Sequence, residues 1–134
     1  MSAVITESTT TDRYYSPAKV RALLVLYPYL ADAKPPTDTD LQLPMRRAFG
    51  PGGWKEEALA KKADISRALN ALSTRRAWAG DAMRLRYCVG LPLRAIAEGL
   101  SRSYGIQLSH ETVRVWTVDG IQFMSDYLCG KLIL

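Results

Sequence analysis

The chain is poor in the residues on which small proteins build covalent or metal chemistry. Its 134 residues include two cysteines, two phenylalanines and a single histidine. Cys88 and Cys129 stand far apart, and the first residues form no secretory leader. A disulfide framework is therefore not expected, and a reducing cytoplasmic setting is. One histidine and two scattered cysteines give no metal-ligand spacing. Neither a glycine-rich phosphate loop nor a nucleophile elbow occurs. Asp38 and Asp40 are the closest thing to a metal pair, but aspartates among prolines and threonines are ordinarily turn formers. Catalysis, a bound metal and a cofactor are accordingly not expected. No apolar run approaches the roughly 18 residues of a membrane span, so a membrane partner is not expected either.

What the chain does hold is apolar residues, 48% of the total, arranged at helical intervals. Leu93, Ile96, Ala97 and Leu100 recur at three-to-four-residue spacing and predict one amphipathic helix. Gly105, free to take a positive φ, ends it. Ser109 then starts a second helix, its hydroxyl suited to an open N–H of the first turn, with Leu108 before it as a staple. Thr112, Val113 and Trp116 are placed inward against Ile96 and Leu100. The spacing thus predicts a helix-turn-helix over 91–128 in an all-α, compact helical domain spanning 16–134, with 1–15 as a flexible leader.

Elsewhere, Ser16-Pro17 is a helix start, followed by Val20, Leu23, Leu24, Tyr27 and Leu30 on one stripe. From 34 to 53 the prolines and the Gly50-Pro51-Gly52-Gly53 cluster predict a proline- and glycine-rich arm without a long regular element, pinned by Leu41, Leu43, Met45 and Phe49. Arg46 and Arg47 within it read as an exposed basic pair. Helical character resumes near Trp54 with Leu59, Ala63, Ile65, Ala68, Leu69 and Leu72 as its apolar side, Asp64 marking a break. A further helix from about Thr74 or Arg75 to Val89 is expected to bury Trp78, Ala82, Leu85 and Cys88, and Cys129 is likewise expected as a small core residue. After Trp116 the apolar pattern continues through Leu128. Gly120 invites a bend, and the segment is expected to return against the first helix, with a homodimer contact as the alternative. Neither repeats nor strands are expected.

Charge is concentrated. From Arg67 to Trp116 there are eight arginines against Asp81, Glu98 and Glu111, a surplus of five that equals the net charge of the whole chain. Arginine offers a forked donor that matches phosphate and guanine, so an anionic partner is expected. The DNA major groove, about 12 Å wide, admits one α-helix. On the helix starting at Ser109 the candidate base readers are Ser109, His110, Glu111, Arg114, Thr117 and Val118: arginine for guanine, glutamate for cytosine N4, methyls for thymine. Arg75, Arg76, Arg94 and Arg102 are the candidate phosphate contacts. The plain alternative for any one of these charges is a solvated helix face.

The stretch Ala63 to Leu100, through Leu85, Arg86, Tyr87, Gly90 and the Ile96-Ala97 pair, resembles sigma-factor region 4, a module also found in small phage late-gene activators. The stretch Tyr104 to Trp116, YGIQLSHETVRVW, is similar instead to the homeodomain-like heads of bacterial transposases. Both resemblances cover the C-terminal half, and both imply a double-stranded DNA partner. They imply different roles. A sequence-specific transcription regulator of phage or prophage type is the leading expectation. A recognition subunit for DNA packaging or transposition is the second, and a helical partner of RNA polymerase that does not read DNA is the third.

Overall fold

A computed structural model of the chain describes residues 15–31, 35–49 and 54–130. The described residues are mainly helical, with no strand among them. The α-helices are α1 (Pro17–Leu26), α2 (Gln42–Phe49), α3 (Trp54–Arg75), α4 (Ala77–Met83), α5 (Leu93–Tyr104) and α6 (His110–Leu128). None is long and apolar enough to cross a membrane.

Ser16 caps α1 as expected, its Oγ accepting from the Lys19 N–H at 3.2 Å, with Pro17 in the first turn where a missing N–H costs nothing. Val20, Leu23, Leu24 and Leu26 are fully buried and open the main core. α3 adds Trp54, Ala58, Ile65, Ala68, Leu69 and Leu72, and the second half of α6 adds Ile121, Phe123 and Met124. The C-terminal helix thus does return against α1, and Tyr15 fastens the two. Its carbonyl accepts from Ser125 Oγ at 2.6 Å and its hydroxyl donates to Asp64. Only 5% of Tyr15 is exposed, so the expected leader is one residue too long; 1–14 lie outside the described residues.

Several expectations give way here. The arm holds no long element among its described residues, only the eight-residue α2, with Pro44 tolerated near its start because the first-turn N–H groups have no intrahelical partner. Leu41, Met45 and Phe49 pack on the core as expected, whereas Leu43 stays exposed; the glycine cluster 50–53 lies outside the described residues. α3 runs through Asp64 unbroken, since that carboxylate is held by the Tyr15 hydroxyl and by Arg67 at 3.3 Å. Leu59 and Ala63 face solvent. The buried stripe passes instead through Trp54, Ala58, Lys61 and Ile65, so a lysine occupies a core position and disguises the phase of the helix. Lys61 is 1% exposed, its ammonium 3.6 Å from Glu57 Oε1 and 5.1 Å from the centre of the Tyr15 ring.

Between α3 and α4 the chain breaks only at Arg76, whose φ of −145° and ψ of 89° leave the helical region. α4 then doubles back along α3, which requires Gly80. A Cβ there would stand 2.1 Å from Ser73 Oγ and 2.8 Å from Ser73 Cα. Arg84 closes the same seam, donating to Ser73 Oγ at 2.6 Å and Asn70 Oδ1 at 2.7 Å. From Arg84 to Val89 the helix widens into a π-helical turn that ends at Gly90, φ 88°. The wider turn rotates its last residues outward, so Cys88 is exposed, contrary to expectation, and Cys129 is half-buried near the Tyr15 carbonyl.

Candidate nucleic-acid interface

α5 and the first half of α6 close over α4 to make a second apolar cluster. Its buried members are Ala82, Ile96, Ala97, Leu100 and Val113, flanked by Leu85, Leu91, Leu93, Leu108 and Trp116. The small side chain of Ala97 lets the neighbouring helices approach. Gly105 ends α5 with φ 67°, in the left-handed conformation. The link to α6 is held by Ser101, whose carbonyl accepts from the Ile106 N–H at 3.1 Å and whose Oγ accepts from the Leu108 N–H at 3.0 Å. Ser109 caps α6, accepting from the Thr112 N–H at 3.2 Å.

Two contacts brace this assembly from α4. Trp78 and Trp116 meet with ring centres 4.6 Å apart and planes tilted by 47°, within the range that aromatic pairs favour. Trp78, expected inside, therefore stays 38% exposed while its ring holds α6. One turn further along α4, Asp81 accepts from the Tyr104 hydroxyl at 2.5 Å, and that bond raises the tyrosine's pKa.

Of the candidate base readers, His110, Glu111, Arg114 and Val118 are exposed on α6, and Ser109 is exposed at its cap. Thr117 is not available: it is 7% exposed and its hydroxyl donates to the Arg114 carbonyl at 2.7 Å. The correction follows from helical arithmetic, since Thr117 lies four residues after Val113 and four before Ile121, both buried. The Ser109 hydroxyl is engaged as the cap and lies 3.1 Å from Thr112 Oγ1. Glu111 and Arg114 are joined, Arg114 Nε lying 2.7 and 2.8 Å from the two carboxylate oxygens. That bond holds the Glu111 carboxyl below its ordinary pKa and raises that of Arg114. An exposed pair of this kind exchanges readily with solvent or another ligand, so the two residues form one donor-acceptor unit.

The eight arginines of the basic segment divide into two sets. Arg67 pairs with Asp64, Arg84 clamps α3 to α4, Arg86 donates to the Leu91 carbonyl at 3.3 Å, and Arg114 holds Glu111. Arg75, Arg76, Arg94 and Arg102 are exposed, and their guanidinium groups make no hydrogen bond or ion pair among the described residues. These four were the candidate phosphate contacts. They stand at the end of α3, in the link to α4, in the first turn of α5 and in its last turn. Among the described residues no group of three His, Cys, Asp or Glu side chains stands together to hold a metal.

No family model matches the chain, and no curated protein or solved structure matches it.

Proposed function

We propose that the chain is a sequence-specific double-stranded DNA-binding transcription regulator of phage or prophage type, in which α5 and α6 act as a helix-turn-helix. The observation that carries this reading is the set of four exposed arginines, two on α5 and two at the junction of α3 and α4, whose guanidinium groups have no hydrogen-bond or ion-pair partner among the described residues. A guanidinium engaged in folding is unavailable to a ligand, whereas these four can exchange water and counterions for phosphate. α6 supplies the reading edge: His110 and the Glu111–Arg114 unit beside the exposed methyls of Val115. In the major groove, Arg114 would turn from Glu111 to the O6 and N7 of guanine, freeing the carboxylate for cytosine N4.

The test is duplex binding by fluorescence anisotropy across salt concentrations, on fragments selected from the source genome. Alanine at Arg75, Arg76, Arg94 or Arg102 is expected to weaken all duplexes alike and reduce the salt slope by about one per residue. Arg114→Ala is expected to cost about 1–3 kcal/mol on the selected site and relax the preference at one base pair. Undiminished binding in all five variants would sink this placement of the interface.

A second reading uses the same surface in a DNA-recognition subunit for packaging or transposition. The linker 105–109 between α5 and α6 favours keeping it, being in keeping with the similarity to transposase heads. Light scattering separates the two, a ring of many copies indicating packaging and a monomer or dimer regulation. A helical partner of RNA polymerase remains the reading if no fragment is enriched over random DNA.

A further inference from the structure

α1, α2 and the middle of α6 border an open groove of about 510 Å³, which none of those four arginines lines. Its walls are apolar: Val25 from α1, Leu43 from α2, and Val118 and Ile121 from α6. Leu43 and Val118 are 51% and 52% exposed, so the groove leaves large side chains in water on two separate elements. Arg21 and Arg47 also line it, one from α1 and one from α2, and among the described residues no carboxylate does. Both are exposed, and neither guanidinium makes a hydrogen bond or ion pair among the described residues.

We propose that this groove receives an amphipathic helix of a partner protein, with its apolar stripe on Val25, Leu43, Val118 and Ile121 and its carboxylates against Arg21 and Arg47. The charge argument selects the occupant. An apolar floor flanked by two guanidinium groups is complemented by an apolar ridge flanked by anions. DNA does not fit, because its phosphates gain nothing from apolar walls. Two copies docked groove to groove do not fit either, since that contact would bring the same cationic groups face to face. The walls are helices, and no strand edge exists among the described residues for an extended peptide to pair with. A helix seated between helices is the recognition mode that remains.

The test uses the full chain and a display library of helix-forming peptides, with leucines fixed at i, i+3, i+4 and i+7 and the flanking positions randomised. Enrichment of aspartate and glutamate at the flanks is expected. For an enriched peptide, anisotropy should show affinity falling about tenfold or more both in Leu43→Gln and in the double variant Arg21→Ala/Arg47→Ala. All three side chains are exposed, and thermal melts matching the wild type check that the variants fold. The proposal is overturned by a library that yields no binder, by enrichment of neutral or basic flanks, or by binding indifferent to both variants. Light scattering that finds a dimer abolished by Leu43→Gln would assign the groove to a second copy and overturn it equally. Duplex binding measured in parallel reports on the proposed function alone, so the two readings fail separately.

Discussion

The larger apolar cluster draws on α1, α2, α3, α4 and the end of α6, whereas the smaller one rests on Ala82, Ile96, Ala97, Leu100 and Val113. In the larger, even polar groups are drawn inward: Lys61 is buried, the Tyr15 hydroxyl holds Asp64, and Ser125 reaches a backbone carbonyl. On α5, which builds the smaller, and at the junction of α3 and α4, four exposed arginines have guanidinium groups with no partner among the described residues. One region uses its side chains to define the fold; the other keeps them available. α6 belongs to both, Val113 in the small cluster and Met124 in the large one, so the presenting half of the helix is anchored by the buried half.

The sharpest way to break this contrast is to empty each cluster in turn. Leu100→Ala and Leu23→Ala should each cost about 2–5 kcal/mol in denaturant unfolding. Because α6 runs through both clusters, each variant should still unfold in one transition with an unchanged m-value. Two resolved transitions would show that the clusters are separate units.

Next in size are two glycines. Gly80→Ala should destabilise by about 1–3 kcal/mol, since its methyl meets the Ser73 backbone that α4 packs against. Gly99→Ala, in α5 with nothing within 4 Å of the added carbon, should stabilise by about 0.5–1 kcal/mol. A gain at Gly80 would remove the close seam between α3 and α4 from the account.

The two serine caps sharpen the comparison further. Ser16→Ala and Ser109→Ala should each lose about 1 kcal/mol in thermal unfolding. Only Ser109→Ala should also weaken duplex binding, by fraying the turn that carries His110 and Glu111. Equal effects on binding would mean that α6's first turn is not the contact.

The smallest effect concerns pH. Burial, and then the charge of Lys61, lower the Lys19 ammonium from 10.5 to about 8. A lowered lysine pKa means that the unfolded chain binds more protons between those values, so this residue's contribution makes stability rise with pH from about 8 to 10.5. The difference in melting temperature between wild type and Lys19→Met should change in that window. A flat difference would place Lys19 in water, outside the large cluster's edge.

What was legible in the sequence was local. Ser16-Pro17, Gly90, Gly105 and Ser109 mark helix ends because caps and positive φ are decided within a turn of the residue itself. Thr117 is legible too: although its methyl is expected to meet thymine, its spacing of four from Val113 puts it on the buried side of α6. Leu59, Cys88 and Gly120 were not. The phase of α3 is set by Lys61 on the core stripe, and that of the turn before Gly90 by a π-helical widening. Gly120 bends nothing; it lies in the unbroken α6, where a Cβ would stand 3.1 Å from Met83 and 3.2 Å from Leu72.

By itself, then, the sequence determined the all-α class, the principal caps and the concentration of arginine between Arg67 and Trp116, since periodicity, capping and charge are properties of neighbouring residues. Only the tertiary structure decided which arginines are consumed by the fold and which are left over. That division depends on whether an acceptor from another turn or helix, such as Ser73 and Asn70 beside Arg84, comes within hydrogen-bond reach when the helices close. The groove between α1, α2 and α6 is likewise a product of packing, because Arg21, Arg47 and Val118 are far apart in the chain and meet only once α6 folds back.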